Sequence, residues 1–212
     1  MYEPPLHRED DLTKQHALIR ARPFGLLVSQ GPQGLVANAI PFLIDSAASR
    51  LGTLRAHMAR ANPQWRDLRA NPDVLAVFQG PDHYVSPSWY ATKRETHKVV
   101  PTWNYVMVQA RGAAKVFEDG EWLSRQIEAL TRAQEAARPE SWAVSDAPAD
   151  FIAAQRRAIV GIEIEIADIR GKWKASQNRS AADRAGVVGG LEALGDEEAV
   201  AMAAIVKETG RG

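Results

Sequence analysis

The stretch LGTLRAHMARANPQW, residues 51–65, decides how this chain reads. It opens as a short apolar run, Leu51 to Met58, that suits a buried strand, although a run this short does not separate strand from helix by period alone. Arg60-Ala61-Asn62-Pro63 then forms a sharp turn. Asn is a favoured N-cap, because its side-chain oxygen can accept from a free backbone N–H. Proline fits the first helical position, where its missing N–H costs nothing. A short helix over 64–70 follows and stops at Asn71-Pro72. A strand thus feeds a helix N-terminus, with His57 at the strand end and Arg60 just before the turn. Free N–H groups and the positive helix end attract anions, and a guanidinium fork can grip a phosphate in two places. The same residues also describe an ordinary capped helix with a solvated arginine. The local pattern leaves both open.

Around this stretch the totals describe an ordinary globule. The chain has 212 residues, 45% hydrophobic and 25% charged, which is enough to bury a sizeable core. Its formal net charge is zero, so no global field draws it to nucleic acid or anionic membrane. Cysteine is absent, which excludes disulfides and thiol chemistry and fits a reducing, cytoplasmic setting. No apolar run is long enough to span a bilayer, and the opening residues lack the features of a signal peptide.

In chain order, helical spacing predicts a helix over 10–21. Apolar runs over 24–30 and 35–44 flank Gly31-Pro32-Gln33-Gly34 and predict a hairpin, with Pro41 calling for an edge position or a bulge. A third run over 74–79 is broken by Gly80-Pro81, and a polar loop fills 91–98. A long strand follows over 103–117, with Gly112 as a bulge or bend. The period then changes. Helices are expected over 121–137 and again over 151–158. Ile162-Glu163-Ile164-Glu165-Ile166 alternates as a strand with one buried face. Gly171 is expected to turn it, so that Lys172-Trp173-Lys174 pairs back. A helix over 180–194, weakened by Gly186, Gly189 and Gly190, and another over 196–207 end the ordered chain, with 209–212 loose. Six or seven strands with inserted and appended helices give an α+β protein built on an antiparallel barrel. The glycine-rich dinucleotide fingerprint is missing.

Tyr84, Trp89, Tyr90, Trp103 and Tyr105 gather flat side chains that could stack on a planar ring or simply pack a core. Thr102 and Asn104 share the strand face opposite Trp103, and could bind an imide or a ribityl chain or face water on an edge. Lys98 follows the charged loop as a further cation. Ser176-Gln177-Asn178-Arg179 offers amides to a heterocycle edge, while Ser180 suits a helix cap. The five histidines (His7, His16, His57, His83, His97) lack ligand spacing, so no metal site is expected. No Gly-x-Ser-x-Gly elbow is present.

Four ordered blocks carry a resemblance: HMARANPQW at 57–65, FQGPDHYVSPSWY at 78–90, VPTWNYV at 100–106 and KWKASQNR at 172–179. Together with the opening MYEPPL and AIVGIEIEI at 158–166, the chain resembles the PaiB family, described as FMN-binding negative transcriptional regulators, over roughly residues 1–191. The resemblance implies a split β-barrel similar to flavin reductases and pyridoxamine-phosphate oxidases. It implies a single FMN-binding domain over 1–194 with a helical tail over 195–212, and a homodimer with FMN at the subunit interface. His57, Arg60, Ala61 and Asn62 would then meet the phosphate and ribityl side. Lys98, Thr102 and Asn104 would lie along the cofactor, with Gln177 and Arg179 from either chain. The role implied is regulatory, and a flavin-dependent oxidoreductase acting on a small substrate is the alternative. The sequence shows no helix-turn-helix and no basic stripe, so direct DNA binding is not expected.

Overall fold

The computed structural model describes residues 1–209. Its strands are β1 (Arg8–Glu9), β2 (Phe24–Gly31), β3 (Gly34–Asp45), β4 (Thr53–Ala59), β5 (Asp73–Val85), β6 (Thr102–Phe117) and β7 (Ile159–Lys174). Its helices are α1 (Leu12–Ala21), α2 (Gln64–Ala70), α3 (Thr92–Thr96), α4 (Gly120–Glu135), α5 (Ala149–Arg157), α6 (Ala181–Leu194) and α7 (Glu197–Thr209). The strands join in the order β1-β7-β4-β3-β2-β5-β6, and a further pairing of β7 with β6 closes the sheet on itself. This is the expected α+β antiparallel split barrel with inserted and C-terminal helices.

Some local expectations hold and others are corrected. The hairpin forms with Gly31 opposite Gly34. Pro41 pairs with Phe24 of β2 alone, because the ladder to β4 starts one residue later, at Phe42, so it has the one-sided, edge-like place expected of it. Gly80-Pro81 does not break β5, because the stretch paired with β2 ends before it, at Val77. Gly171 does not turn β7 either. It pairs with Glu9 of β1, and a Cβ there would lie 2.7 Å from the Glu9 carbonyl oxygen. Gly112 likewise allows a close backbone approach, since a Cβ would sit 2.1 Å from the Glu165 carbonyl oxygen. The polar stretch after Tyr90 contains the short helix α3, closed by His97 in the left-handed conformation (φ 56°). Thr209 ends α7; the rest of the stretch expected to be loose, 210–212, lies outside the described residues.

Contacts divide the chain into two compact units. In the unit formed by Met1–Gln15, Gln79–Val108 and the chain from Arg170 onward, Val187 and Leu191 of α6 pack with Ala199, Met202 and Val206 of α7 against Val85, Tyr90 and Ala175. Gly186 and Gly190 admit Trp89: a Cβ on them would lie 1.9 Å from its carbonyl oxygen and 2.3 Å from its ring. Asp183 of α6 accepts from both the backbone N–H and the hydroxyl of Thr92, each at 2.9 Å, which fixes α3.

The other unit comprises His16–Phe78 and Gln109–Ile169. Its core takes Leu27, Phe42, Leu54, Ala56, Phe78, Ile162 and Ile164 from alternate positions of the strands. Phe42 and Phe78 meet edge to face at 5.3 Å. On the outer side of β4, α4 packs with Trp122 over Gly161, where a Cβ would lie 2.1 Å from the ring.

Candidate functional site

The bend after β4 folds as its residues dictate. The Asn62 side-chain oxygen accepts from the Gln64 N–H at 3.0 Å, and Pro63 takes helical angles (φ −69°, ψ −17°). Gln64 is buried and works as a tie. Its Nε2 donates to the Leu27 carbonyl (3.1 Å) and the Ser29 hydroxyl (2.9 Å), and its Oε1 accepts from Asn38 Nδ2 (2.9 Å). Trp65 donates its indole N–H to the Arg60 carbonyl at 2.9 Å, while Arg66 and Arg69 lie over its ring. The residue types chosen for an anion cradle therefore also close the turn on itself.

Arg60 is fully engaged within the chain. It pairs with Glu118, donates Nε to the Arg157 carbonyl at 2.9 Å and donates Nη2 to the Ile159 carbonyl at 3.2 Å. Arg69 shares Glu118, and hydrogen bonds from the two guanidiniums hold that carboxyl below the usual range. Ala61 is exposed and Asn62 half-buried. His57 is half-buried opposite Gly161 of β7, and its Nδ1 is buried without a hydrogen-bond partner among the described residues. Burial lowers its pKa, so the ring stays neutral near pH 7.

The remaining expected residues belong to the other unit. Asn104 is fully buried and donates to the Ser176 hydroxyl at 2.9 Å, so it does not face water. The Thr102 hydroxyl accepts from Lys174 Nζ at 2.6 Å. Gln177 accepts from the Ala175 N–H at 2.8 Å, donates to the Trp173 carbonyl at 2.5 Å and lies 3.0 Å from His7 Nδ1. The Arg179 guanidinium lies 4.3 Å over the Tyr90 ring. Lys98 is exposed, just past α3. Tyr84 and Trp103 meet edge to face at 6.1 Å, with the Trp103 indole N–H donated to Asp82 at 2.8 Å.

Sequence reasoning missed the cations at the end of β7. Lys172 is only 7% exposed, and its Nζ donates to the Tyr2 carbonyl (3.0 Å) beside the rings of Tyr2 and Tyr105. Lys174 donates to Thr102 and to the Trp103 carbonyl (2.7 Å). Among the described residues, the oxygens that meet these two ammonium groups are thus all neutral. Burial lowers the pKa of Lys174, and Lys172 lowers it further against the opposing effect of Tyr105. Burial also lowers the pKa of His7, with Lys174 and Lys172 adding to the shift against the Gln177 hydrogen bond. Two lysine ammonium groups held close together by neutral oxygens make a place that would welcome a negative charge. The sequence signal for it is the alternation Lys-Trp-Lys at the head of the KWKASQNR block, and strand patterning alone does not single out its two cations.

The fold defines a split-barrel protein. Residues 1–168 match the family described as "Putative FMN-binding domain", and the chain belongs to that family, with FMN as its cofactor. Along its length the chain is similar to "Protease synthase and sporulation protein PAI 2" of Bacillus subtilis, at 28% identity over 98% of this chain and 97% of that one, in keeping with the PaiB resemblance. It is also similar to an uncharacterized protein of Aspergillus fumigatus, at 38% identity over 99% and 98% of the two chains. Among solved structures, the flavocytochrome Anf3 from Azotobacter vinelandii shares the fold. Its TM-score is 0.61 at 14% identity, over 84% of this chain and 74% of that one. The protein Rv2991 from Mycobacterium tuberculosis matches with a TM-score of 0.60 at 13% identity, over 85% and 94%.

Proposed function

We propose that this chain works as a homodimeric FMN-binding protein with a regulatory output, the role that the PaiB resemblance implies. The observation that carries the flavin part is the pair Lys172 and Lys174, whose ammonium groups meet only neutral oxygens among the described residues. A phosphate dianion supplies the missing charge. The unpartnered Nδ1 of His57 is a second group in want of a ligand. Bound FMN would supply reversible electron transfer. On this reading Lys172 and Lys174 serve the phosphate, and Lys98, Thr102, Asn104, Gln177 and Arg179 of the same unit offer further contacts. In the unit that carries the β4 bend, His57, Ala61 and Asn62 are candidate contacts in their own right. Arg60 acts as a positioning residue, holding the bend through Glu118 and two carbonyls. On this reading residues 1–194 form the cofactor domain, and α7 (Glu197–Thr209) adds a helix packed on α6.

The sheet itself favours a second copy as partner. Phe24, Leu26 and Val28 of β2 share one face with Leu35, Ala37 and Ala39 of β3. Phe24 is 69% exposed and Leu26 44%. An apolar sheet face of this kind calls for cover, and a twofold partner presenting the same face supplies it. Regulation on this reading runs through a partner or a small signal rather than operator contact, since the net charge of zero gives no electrostatic footprint for DNA.

FMN titration of the wild type and Lys174→Met tests the reading. Loss of a charged hydrogen bond, about 1.5–3 kcal/mol, weakens FMN binding by roughly 10- to 100-fold. Riboflavin, which lacks the phosphate, should bind both proteins alike. Equal FMN affinity in the two proteins contradicts the assignment. Adding NAD(P)H to the loaded protein separates the roles: rapid bleaching with turnover of a small acceptor supports the oxidoreductase instead.

A further inference from the structure

We propose that the cleft between α4 and the outer side of β4 and β7 binds a small, uncharged, planar molecule bearing a primary carboxamide or a lactam edge. The cleft holds about 680 Å3, within the range of small-molecule sites. Arg55, Phe117, Trp122, Arg125, Gln126 and Glu163 line it. All of them belong to one compact unit.

Gln126 carries the argument. It is only 3% exposed, and neither its Nε2 nor its Oε1 has a hydrogen-bond partner among the described residues. A buried amide left unpaired at both ends is costly, and such groups in native proteins are met by a partner or a ligand. A carboxamide side chain presents one donor and one acceptor in a plane. A primary carboxamide or a lactam edge presents the complementary pair and satisfies both at once. An ammonium would leave Nε2 unmet, and a carboxylate would leave Oε1 unmet.

The charges around the cleft point the same way. Arg55 is held between Asp45 and Glu163, each at 3.0 Å, and Arg125 is held by Glu121 at 2.7 Å. Two carboxylates around one guanidinium repel an anion. The flat wall is present too. Phe117 and Trp122 stack with centroids 4.7 Å apart and planes 2° from parallel. Trp122 stands one helical turn before Gln126, so ring and amide share a face of α4. Gly161 leaves the room that keeps this indole in place. Flat apolar walls with one paired polar group select planar heterocycles by stacking and orient them by the amide.

This inference does not rest on the flavin reading, and the test uses flavin-free protein. Nicotinamide and 2-pyridone are the probes, with nicotinate as the charged control, followed through the Trp122 indole and Gln126 amide resonances. Both neutral probes should shift these signals saturably at millimolar concentration, and nicotinate should not. Gln126→Leu should weaken both probes by roughly tenfold or more while raising the melting temperature, because it removes the unpaired amide. Gln126→Met, another apolar replacement of similar size, should behave in the same way. Three outcomes overturn the proposal: no shift with either neutral probe, equal binding of nicotinate, or unchanged probe affinity in both variants. Any of these means that water alone satisfies the amide.

Discussion

Arg60 and Glu118 form an ion pair in which the guanidinium also reaches the carbonyls of Arg157 and Ile159, at 2.9 and 3.2 Å. One side chain thereby fastens the β4 bend to the start of β7. Arg60→Ala should lower the unfolding free energy of flavin-free protein by about 1–2 kcal/mol, a partly exposed charged bond counting for less than a buried one. Arg60→Lys should not restore it, because a point charge cannot fork to three acceptors. Urea denaturation measures both. Unchanged stability together with weakened FMN binding would make Arg60 a direct ligand contact instead of a clamp.

Acid should weaken the flavin-free protein through its buried histidines. Burial lowers the pKa of His57, and burial with two neighbouring lysines lowers that of His7. Below the ordinary histidine value the unfolded chain therefore binds more protons than the folded one, and stability rises with pH across that window. The contribution is complete above about pH 6.5 and is lost as pH falls through that value toward the folded one. His57→Gln should flatten part of this acid-side slope in melting curves taken between about pH 7 and 5. An unchanged slope would mean that the ring is already hydrated in the folded state.

Two glycines of α6 make a paired test of packing. A Cβ at Gly186 would lie 1.9 Å from the Trp89 carbonyl oxygen, whereas nothing comes within 4 Å of one at Gly189. Gly186→Ala should destabilise by about 1–3 kcal/mol or more, since backbone must move. Gly189→Ala should stabilise by a few tenths to about 1 kcal/mol, as alanine favours a helix interior. If both changes prove neutral in denaturation, α6 does not sit on Trp89 as described.

These glycines also show what the sequence could carry. The helix α2 was legible to the residue, because Asn62-Pro63 starts it and Asn71-Pro72 stops it by local chemistry. The hairpin at 31–34 was legible for the same reason. Gly171 and Gly80-Pro81 misled, because whether a strand continues depends on a partner far away in sequence, such as Glu9 for Gly171. Gly186 looked like a weak point in a helix and is a seat for Trp89. The same limit hid Lys172: only the fold reveals that Tyr2 and Tyr105 enclose it. Strand alternation alone does not decide between cofactor and solvent for Asn104, and its burial beside Ser176 removes solvent from the choice.

The apolar face of β2 and β3 gives a direct test of assembly. Leu26 pairs with Ala39 and Val77 in the middle of that face and is itself exposed. Leu26→Lys should convert a dimer to monomer in sedimentation at micromolar concentration, with little change in the fold, because the side chain already meets solvent in a single chain. A wild-type protein that sediments as a monomer rules out the twofold partner.

The flavin assignment meets its sharpest test in one titration: flavin-free protein against FMN, followed by quenching of flavin fluorescence and the shift of its absorbance bands. Saturable, stoichiometric quenching that weakens as salt rises is the predicted result, since a cluster of lysines holds a dianion. Flavin fluorescence that stays at its free value through a large excess of protein would contradict it.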